Sequence, residues 1–377
     1  MSKTQPRASG YFRTDYARDH MLAETRLQRG SLAVCLVALA IFPFVASPFQ
    51  LDLACQVFLA SIGSLSLMLL TGFAGQISLG HAGLIAAGAF TTGIMTREIN
   101  APFWLTLPAS AIAGALLGVV FGLPSLRLRG LYLAVSTLAL HFVVVYLGGE
   151  YETKRGFSTG ITIDPPQVFG RALTSPRAWY FVLLLFAVVS LFICINLLRS
   201  RTGRAWGAIR SRETVAEALG IEVASYKLLA FVISSAITAA GGCLFAYYRG
   251  FVSVEAFSLF LSISYVAMTI IGGMGSLLGA LLGALFVTLF PYAIEAGLLL
   301  LPKLFALLAV WFPSLSWLAN TQKLAANLFA VNYAAFGLVM ILFLIYEPLG
   351  LVGIWHRIQA YFLHWPFKHR PLSGSRQ

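Results

Sequence analysis

Long apolar runs alternate with short polar segments along nearly the whole chain. A helix that crosses a lipid bilayer needs about 20 consecutive apolar residues, and these runs lack the two-residue alternation that a transmembrane barrel requires. The pattern therefore predicts an all-α polytopic membrane protein with about ten transmembrane helices. The predicted spans cover residues 31–48, 52–71, 78–96, 102–123, 130–147, 178–198, 227–248, 257–273, 276–294 and 329–347.

The polar segments divide the chain into three parts. These are a basic amino-terminal segment (1–30), a transmembrane domain (31–347) and a carboxyl-terminal tail (348–377). Inside the transmembrane domain three connections are long, namely residues 148–177, 199–226 and 295–328. The spans place the second of these on the same side as the amino terminus and the other two on the opposite side.

The connection 295–328 is unusually apolar. Pro302 and Pro313 are expected to divide it into pieces too short to span the bilayer. Its tryptophans, Trp311 and Trp317, are typical of helices that lie along the membrane surface. An additional re-entrant hairpin is the alternative, and it would leave the sidedness unchanged.

Composition and charge support a membrane protein and set its orientation. Hydrophobic residues make up 59% of the chain and charged residues 11%, with a mean hydropathy of +0.83. The net charge of +12 could indicate a nucleic-acid partner. However, 18 of the 26 Lys and Arg residues share one side of the membrane if the amino terminus is cytoplasmic. This positive-inside bias predicts an even number of spans in a lipid bilayer, both termini cytoplasmic, and no nucleic-acid partner.

Glycines recur at four-residue spacing in two predicted spans. The two sets are Gly114, Gly118 and Gly122, and Gly275, Gly279 and Gly283. Glycines on one helix face let helix backbones approach closely in lipid, so each set is expected to serve helix packing. The run 271–283 also repeats the Gly-x-x-Gly spacing of 71–83, which makes it a candidate internal repeat.

The stretch "GFAGQISLGHAG" combines glycines with polar side chains at the start of a predicted span. It contains Gly72, Gly75, Gln76, Ser78 and His81. It predicts a broken helix beside a translocation cavity, with Gln76 and Ser78 bonded to the backbone groups that the break frees. The alternative is a cytoplasmic connection with Gln76 in solvent. His81 and His141 are open between an interhelical hydrogen bond and a ligand or relay role.

Chemical motifs are missing from the sequence. No Asp, Glu, Lys or Arg lies at the centre of a predicted span, and there is no phosphate loop and no Cys/His cluster. Cys35, Cys55, Cys194 and Cys243 lie in apolar spans and are expected to be buried small apolar residues. We therefore expect no enzyme activity, no cofactor and no metal. The energy source is then external, or the protein is a passive pore.

Four segments, in order along the chain, resemble the signatures of the branched-chain amino acid ABC transporter permeases, and most closely the M-type subunit. They are "GFAGQISLGHAG", "LRLRGLYLAVSTLAL" (126–140), "GRAWGAIRSRETVAEALGIEVASYKLLAF" (203–231) and "IGGMGSLLG" (271–279). The run "FGLVMILFLIYEPLGLVG" (336–353) is similar to the last span of that family. The resemblance covers roughly residues 60 to 353, and the two ends of the chain carry no such signature.

The resemblance implies an importer subunit in the bacterial inner membrane. Such a subunit works with a second, similar permease, two cytoplasmic ATP-binding subunits and an external substrate-binding protein. The segment "VAEALGIE" is similar to the loop on which the ATPases dock. This implies a coupling role for Glu217, Ala218 and Gly220, with Arg210 and Glu213 expected on the same helix. From composition alone, a solvated basic loop would be an equal alternative.

The sequence leaves alternatives open for the role of the external connection 148–177 and for the identity of the transported solute. Glu150, Glu152, Lys154 and Arg155 are candidate contacts for the binding protein, or charges of a solvated loop. Branched-chain or related amino acids are the expected solutes, and importers of urea or small carboxylates resemble the same family. A passive channel is the alternative from another class, and a membrane enzyme is a more distant one.

Overall fold

The computed structural model describes residues 26–126, 128, 130–157, 160–168, 171–309, 328–347 and 349–364. The interfacial or re-entrant structure expected around Trp311, Pro313 and Trp317 lies outside the described residues, as do most of the amino-terminal segment and the end of the tail. In the described part the all-α polytopic class is confirmed.

Thirteen α-helices account for most of the described residues. They are α1 (Arg26–Val45), α2 (Pro48–Leu67), α3 (His81–Ile99), α4 (Phe103–Ser125), α5 (Leu131–Arg155), α6 (Pro176–Arg199), α7 (Arg201–Ser211), α8 (Glu213–Ala218), α9 (Val223–Arg249), α10 (Leu259–Gly272), α11 (Leu277–Ala309), α12 (Leu328–Tyr346) and α13 (Gly350–His364). A π-helix, Met68–Phe73, continues α2, and a short 3₁₀ helix, Val254–Ala256, precedes α10.

Each predicted span coincides with one of these helices, but the number ten is not confirmed. Within the described residues, seven helices are long and apolar enough to cross a membrane. Two others contribute only shorter apolar stretches, Leu36–Val45 in α1 and Ala334–Phe343 in α12. The protein is therefore a multi-pass membrane protein.

Four strands of two residues each form small pairs in the connections. Strand β1 (Ile161–Thr162) pairs antiparallel with β4 (Phe251–Val252), with Ile161 opposite Val252. Strands β2 (Gln167–Val168) and β3 (Arg171–Ala172) form the other antiparallel pair.

Helices α2 and α9 form the centre of the bundle. α2 with its π-helical end is largely buried and packs against α6, α9, α10 and α11. α9 packs against α3 and, along most of its length, against α4. Because packing rather than hydrophobicity drives helix association in lipid, the close α4–α9 approach needs small residues at the contact.

Gly114, Gly118 and Gly122 lie on the face of α4 that contacts α9. A methyl group on Gly114 would lie 2.5 Å from the carbonyl oxygen of Ser235, and one on Gly118 would lie 3.0 Å from the Cα of Val232. The structure therefore places this set in a helix–helix contact that side chains of normal size would open.

The second glycine set is split by the start of a helix. Gly279 and Gly283 lie in α11 and face the end of α10, where a methyl group on Gly279 would lie 2.7 Å from the carbonyl oxygen of Gly273. Gly275 precedes α11 and has a φ of +92°. The expectation that Gly275 shares this helix face is wrong, because the residue forms the α10–α11 turn.

Contacts between connections define two ends of the bundle. At the Glu98 end, the Tyr151 hydroxyl donates to Glu98 Oε1 over 2.8 Å, and Arg155 forms an ion pair with the same oxygen at 2.8 Å. At the opposite end, here called the Arg210 end, Arg210 lies beside Gly72 and Gly275. Consecutive spans run between these two ends.

Two connections are shorter than predicted. α5 continues to Arg155, so residues 148–155 of the predicted external connection are helical. α11 continues through Pro302 to Ala309, so Pro302 does not break the helix. A proline inside a transmembrane helix removes one backbone hydrogen bond, which neighbouring groups can compensate.

Candidate functional site: a broken helix and a docking segment

The break predicted at residues 72–81 is present. α2 widens into the π-helix Met68–Phe73, and α3 begins at His81. Beyond the π-helix, the amide of Ala74 donates to the Leu69 carbonyl and that of Gln76 to the Leu70 carbonyl, both over 3.1 Å. Gly75 has a φ of +72°, a left-handed conformation that glycine adopts without strain. The chain therefore leaves the helix by a turn that glycine makes possible.

Gln76 and Ser78 do not serve the break in the way that was predicted. Both are buried, but Gln76 Oε1 and Ser78 Oγ have no hydrogen-bond partner among the described residues. The hydroxyl of Thr71 donates to the Gln76 carbonyl over 3.0 Å, and the hydroxyl of Thr137 accepts from the Leu79 amide over 2.9 Å. Threonines, one of them on α5, therefore satisfy the backbone groups that the break frees.

His81 is fully buried in a polar cluster between helices. Its Nε2 lies 2.9 Å from the carbonyl oxygen of Gly63, and since a carbonyl only accepts, Nε2 carries the proton. The hydroxyl of Ser66 lies 3.2 Å from the same nitrogen and 2.8 Å from the hydroxyl of Thr238. The ring also contacts Tyr265 edge-on. His81 thus links α3 to α2, α9 and α10.

A small cavity of about 40 Å³ adjoins this cluster. Its lining includes three residues that contact His81, namely Gly63, Thr238 and Tyr265, together with apolar side chains such as Leu59 and Phe245. Gly72, Gly75, Gln76 and Ser78 do not line it. The break residues 72–78 are therefore separate from this cavity, and His81, at the start of α3, contacts residues that line it.

The break also packs closely against α5. A methyl group on Gly80 would lie 2.9 Å from the carbonyl carbon of Thr137, and one on Gly83 would lie 2.6 Å from the Cα of His141. His141 is buried, and its Nδ1 has no partner among the described residues. Its Cα lies at a helix contact, and His141 belongs to no cluster of His, Cys, Asp and Glu side chains among the described residues.

The segment 199–226 consists of two short helices rather than one. α7 ends at Ser211, Arg212 adopts an extended conformation (φ −158°, ψ 114°), and α8 begins at Glu213. Arg210 therefore lies on α7, whereas Glu213, Glu217 and Ala218 lie on α8, so the expectation of one common helix is wrong. Gly220 follows α8 with a φ of +82° and no atom within 4 Å of its absent side chain.

Both short helices are anchored to the bundle. The Trp206 ring is fully buried among the Arg210-end residues of α2, α6, α9 and α11, and its Nε1 donates to the Tyr226 carbonyl over 2.9 Å. Ile209, Ala216 and Val223 form a small apolar cluster that joins α7, α8 and α9. Lys227 forms an ion pair with Glu213 at 2.5 Å. These contacts therefore join α7 and α8 to the membrane helices.

The outer surface of this segment is open and partly apolar. Val215 is 49% exposed and Leu219 is 73% exposed, and both border a groove of about 400 Å³. The groove is lined by Ala208, Ser211, Arg212, Val215, Ala216 and Leu219. We call the segment α7–α8 with this groove the docking segment, after the role that the family resemblance of its sequence implies.

Comparison with known proteins identifies the family to which this architecture belongs. Residues 50–310 match the model of the branched-chain amino acid transport system / permease component family. The matched region includes the break, the docking segment and the α10–α11 turn. The chain belongs to this family.

Several known permeases are similar to this chain in sequence. The chain is 33% identical to the high-affinity branched-chain amino acid transport system permease protein LivM of Salmonella typhimurium over 310 residues, 75% of this chain and 73% of that protein. It is 32% identical to LivM of Escherichia coli over 314 residues, 76% of this chain and 74% of that protein. It is 29% identical to the autoinducer 2 import system permease protein LsrC of Klebsiella pneumoniae over 237 residues, 54% of this chain and 65% of that protein. No solved structure matches the chain.

Several residues that organise this permease were missed from the sequence. Trp206, Thr137 and Thr238 were not singled out from the sequence. Trp206 stands alone as a bulky aromatic within a basic, glycine-containing segment, and that contrast could have marked it as an anchor. The threonines are indistinguishable in sequence from others that bond only to their own helix, such as Thr91.

Proposed function

We propose that this permease pairs with a second permease of the same family to form an ATP-driven pathway that imports branched-chain or related amino acids across the bacterial inner membrane. Two ATP-binding subunits supply the energy, and an external binding protein delivers the solute. The Arg210 end then faces the cytoplasm and the Glu98 end the outside. One observation carries the proposal. The docking segment exposes apolar side chains and is anchored to the membrane helices, and it lies in the region that matches the family.

The docking segment has the properties that a soluble ATPase partner requires. Leu219 and Val215 offer exposed apolar contact area in the groove, Arg212 adds a charged side chain to its lining, and Glu217 is exposed nearby on α8. Exposed apolar residues surrounded by polar ones are typical of protein–protein contacts. A solvated loop would not need Trp206 buried behind it or the Ile209–Ala216–Val223 cluster beneath it.

The break supports a pathway that alternates between two conformations. Buried polar atoms without partners are costly in a membrane and concentrate at functional positions. Gln76 Oε1 and Ser78 Oγ are two such atoms within the described residues. In a second conformation these atoms would gain a partner, either a chain group or the passing solute. We therefore place the break beside the translocation path.

The names of the relatives support the proposed class of solute. Two LivM proteins cover about three quarters of the chain and are named as high-affinity branched-chain amino acid permeases. A solute of another class is the second candidate, because a relative that matches 54% of the chain is named as an autoinducer 2 import permease. Uptake assays with leucine and with that solute class would separate the two candidates.

Crosslinking combined with uptake tests the proposal. A cysteine introduced by Glu217→Cys, in a chain without the four native cysteines, should crosslink to an ATPase subunit in a nucleotide-dependent manner. Membrane vesicles loaded with ATP should take up leucine only when the ATPases and the binding protein are present. The matched control is Lys154→Cys, because Lys154 is also exposed but lies at the Glu98 end. Solute equilibration without ATP and without any crosslink would instead establish a passive channel.

A further inference from the structure

Arg210 reaches from the docking segment to the membrane helices. It lies one helical turn after Trp206 on α7, so both side chains are on the same face. Its guanidinium donates a hydrogen bond to the carbonyl oxygen of Gly72 at the end of the π-helix. Trp206 fixes the helix by apolar burial, whereas Arg210 makes a polar contact at the break itself.

The Gly72 carbonyl is an acceptor that the helix does not satisfy. Carbonyl groups in the last turn of a helix lack intrahelical donors and carry the negative end of the helix dipole. The next amides are committed elsewhere, because Ala74 donates to Leu69 and Gln76 to Leu70. A guanidinium provides a charge-assisted bond at this position. Arg210 therefore terminates α2 from outside the helix.

The same side chain also contacts a second glycine turn. A methyl group on Gly275 would lie 2.5 Å from Arg210 Nη1, and one on Gly75 would lie 3.6 Å from Arg210 Cα. The Gly275 turn also contacts the π-helix, since the Gly275 amide donates to Met68 Sδ over 3.3 Å and a methyl group on Gly72 would lie 3.0 Å from the Gly275 nitrogen. Gly75 and Gly275 both have positive φ values, +72° and +92°. Two turns that are far apart in sequence thus meet around one arginine.

We propose that Arg210 is the positioning residue that transmits movement of the docking segment to the α2 end and the α10–α11 turn. Movement of α7 displaces the guanidinium, and the two glycine turns move with it or separate from each other. This inference rests on the proposed importer function, because it requires an ATPase that moves α8. It assigns Arg210 to a contact within the chain rather than to the ATPase surface.

The test compares ATP hydrolysis with transport in the assembled transporter, reconstituted in proteoliposomes with its partner subunits. Arg210→Ala should leave subunit assembly and the Glu217→Cys crosslink intact. The number of leucine molecules imported per ATP hydrolysed should fall about tenfold, the size of a typical coupling between sites. Arg210→Lys should recover most of this loss, because one ammonium donor suffices for a single carbonyl acceptor.

Two matched controls isolate the Arg210 contact. Arg204→Ala removes another arginine of α7, whose guanidinium bonds only to the nearby Arg199 carbonyl, and should transport normally. Gly275→Ala should uncouple in the same way as Arg210→Ala, because the methyl group displaces Nη1. Gly156→Ala imposes a comparable left-handed strain (φ +72°) where no atom lies within 4 Å, and should not uncouple.

Three results would overturn the inference. Normal import per ATP in Arg210→Ala would show that the contact carries no coupling. Loss of subunit assembly in that variant would make Arg210 a docking or folding residue. Equal uncoupling in Gly275→Ala and Gly156→Ala would assign the effect to backbone strain. If the unmodified transporter itself shows no ATP-dependent import, the proposed function fails and the inference with it.

Discussion

His81 joins three other helices through a single ring nitrogen and a ring face. Nε2 is shared by the Gly63 carbonyl and the hydroxyls of Ser66 and Thr238, and the ring rests against Tyr265. A buried polar group of this kind stabilises a structure only while its partners are in place. The cluster therefore supports an interhelical role for His81 in this conformation.

Replacement of His81 should destabilise the bundle. His81→Ala leaves the Gly63 carbonyl with one donor fewer and opens a void in the cluster, and we expect a loss of about 2 kcal/mol in the free energy of unfolding. Thermal unfolding of the detergent-solubilised chain would measure the change. His356→Ala is the control, because His356 is exposed on α13. Equal midpoints for the two variants would contradict the interhelical role.

Gly242 lies at a close approach of α9 to α3. A methyl group there would lie 2.9 Å from the carbonyl carbon of Ile85, a backbone atom that cannot turn away. Gly242→Ala should therefore lower the free energy of unfolding by about 1–3 kcal/mol, the usual range for overpacking. Gly337→Ala on α12 is the control, because no atom lies within 4 Å and alanine favours helix. A Gly242→Ala variant as stable as the control would show that α3 and α9 can separate without cost.

The break shows which residue roles sequence can supply. Glycines at 72 and 75 are a direct signal for a helix end, and the break occurs there. The polar residues that satisfy the break are Thr71 and Thr137 rather than Gln76 and Ser78. Thr137 lies on another helix, so its role depends on tertiary contacts that a local pattern does not contain.

Helix ends in this permease follow two different rules. α5 ends at Arg155, and the next residue, Gly156, adopts a left-handed conformation, as glycine after a helix predicts. α7 ends at Ser211, where no glycine or proline follows, because burial of Trp206 and Ile209 fixes the direction of α7 and the Ala216 contact fixes that of α8. α11 continues through Pro302. Breaks and continuations that depend on packing were therefore missed from the sequence.

The docking helix α8 provides a prediction at the scale of an element. Leu219 is 73% exposed just beyond α8, so Leu219→Glu should leave the fold of the chain unchanged. It should abolish co-purification of the ATPase and lower ATP-driven uptake about tenfold or more, as loss of a central interface residue does. Ile99→Glu is the matched control, because Ile99 is 69% exposed at the Glu98 end. Retention of the ATPase by Leu219→Glu would place the docking site elsewhere.

At the scale of the whole molecule, charge and contacts give the same two-sided arrangement. The charge bias assigns sides from the sequence alone. The structure independently gathers the break, the docking segment and the α10–α11 turn at the Arg210 end, and the starts of α9 and α13 at that end too. The positions of the membrane helices were predictable because they depend on hydrophobic length, which is a local property, whereas the cytoplasmic assignment of the Arg210 end stays a prediction. The number of spans was less predictable, because α3, which is buried and rich in glycine, does not reach the apolarity of a lipid-exposed span.

Sidedness can be measured with a thiol reagent that does not cross membranes. In a chain without native cysteines, the reagent should label Lys154→Cys in intact cells and Glu217→Cys only in inverted vesicles, because the two positions lie at opposite ends of the bundle. Native Cys55, Cys194 and Cys243 are free but buried, so a chain that keeps only these three should react slowly from either side until it is denatured. Labelling of both introduced cysteines from the same side would mean that α6 does not separate them across the membrane, and the assignment of the two ends of the bundle to opposite sides would be wrong. If the two cysteines are labelled from opposite sides, the result also shows which end is cytoplasmic. The end that reacts only in inverted vesicles faces the cytoplasm and is the one that an ATPase can reach.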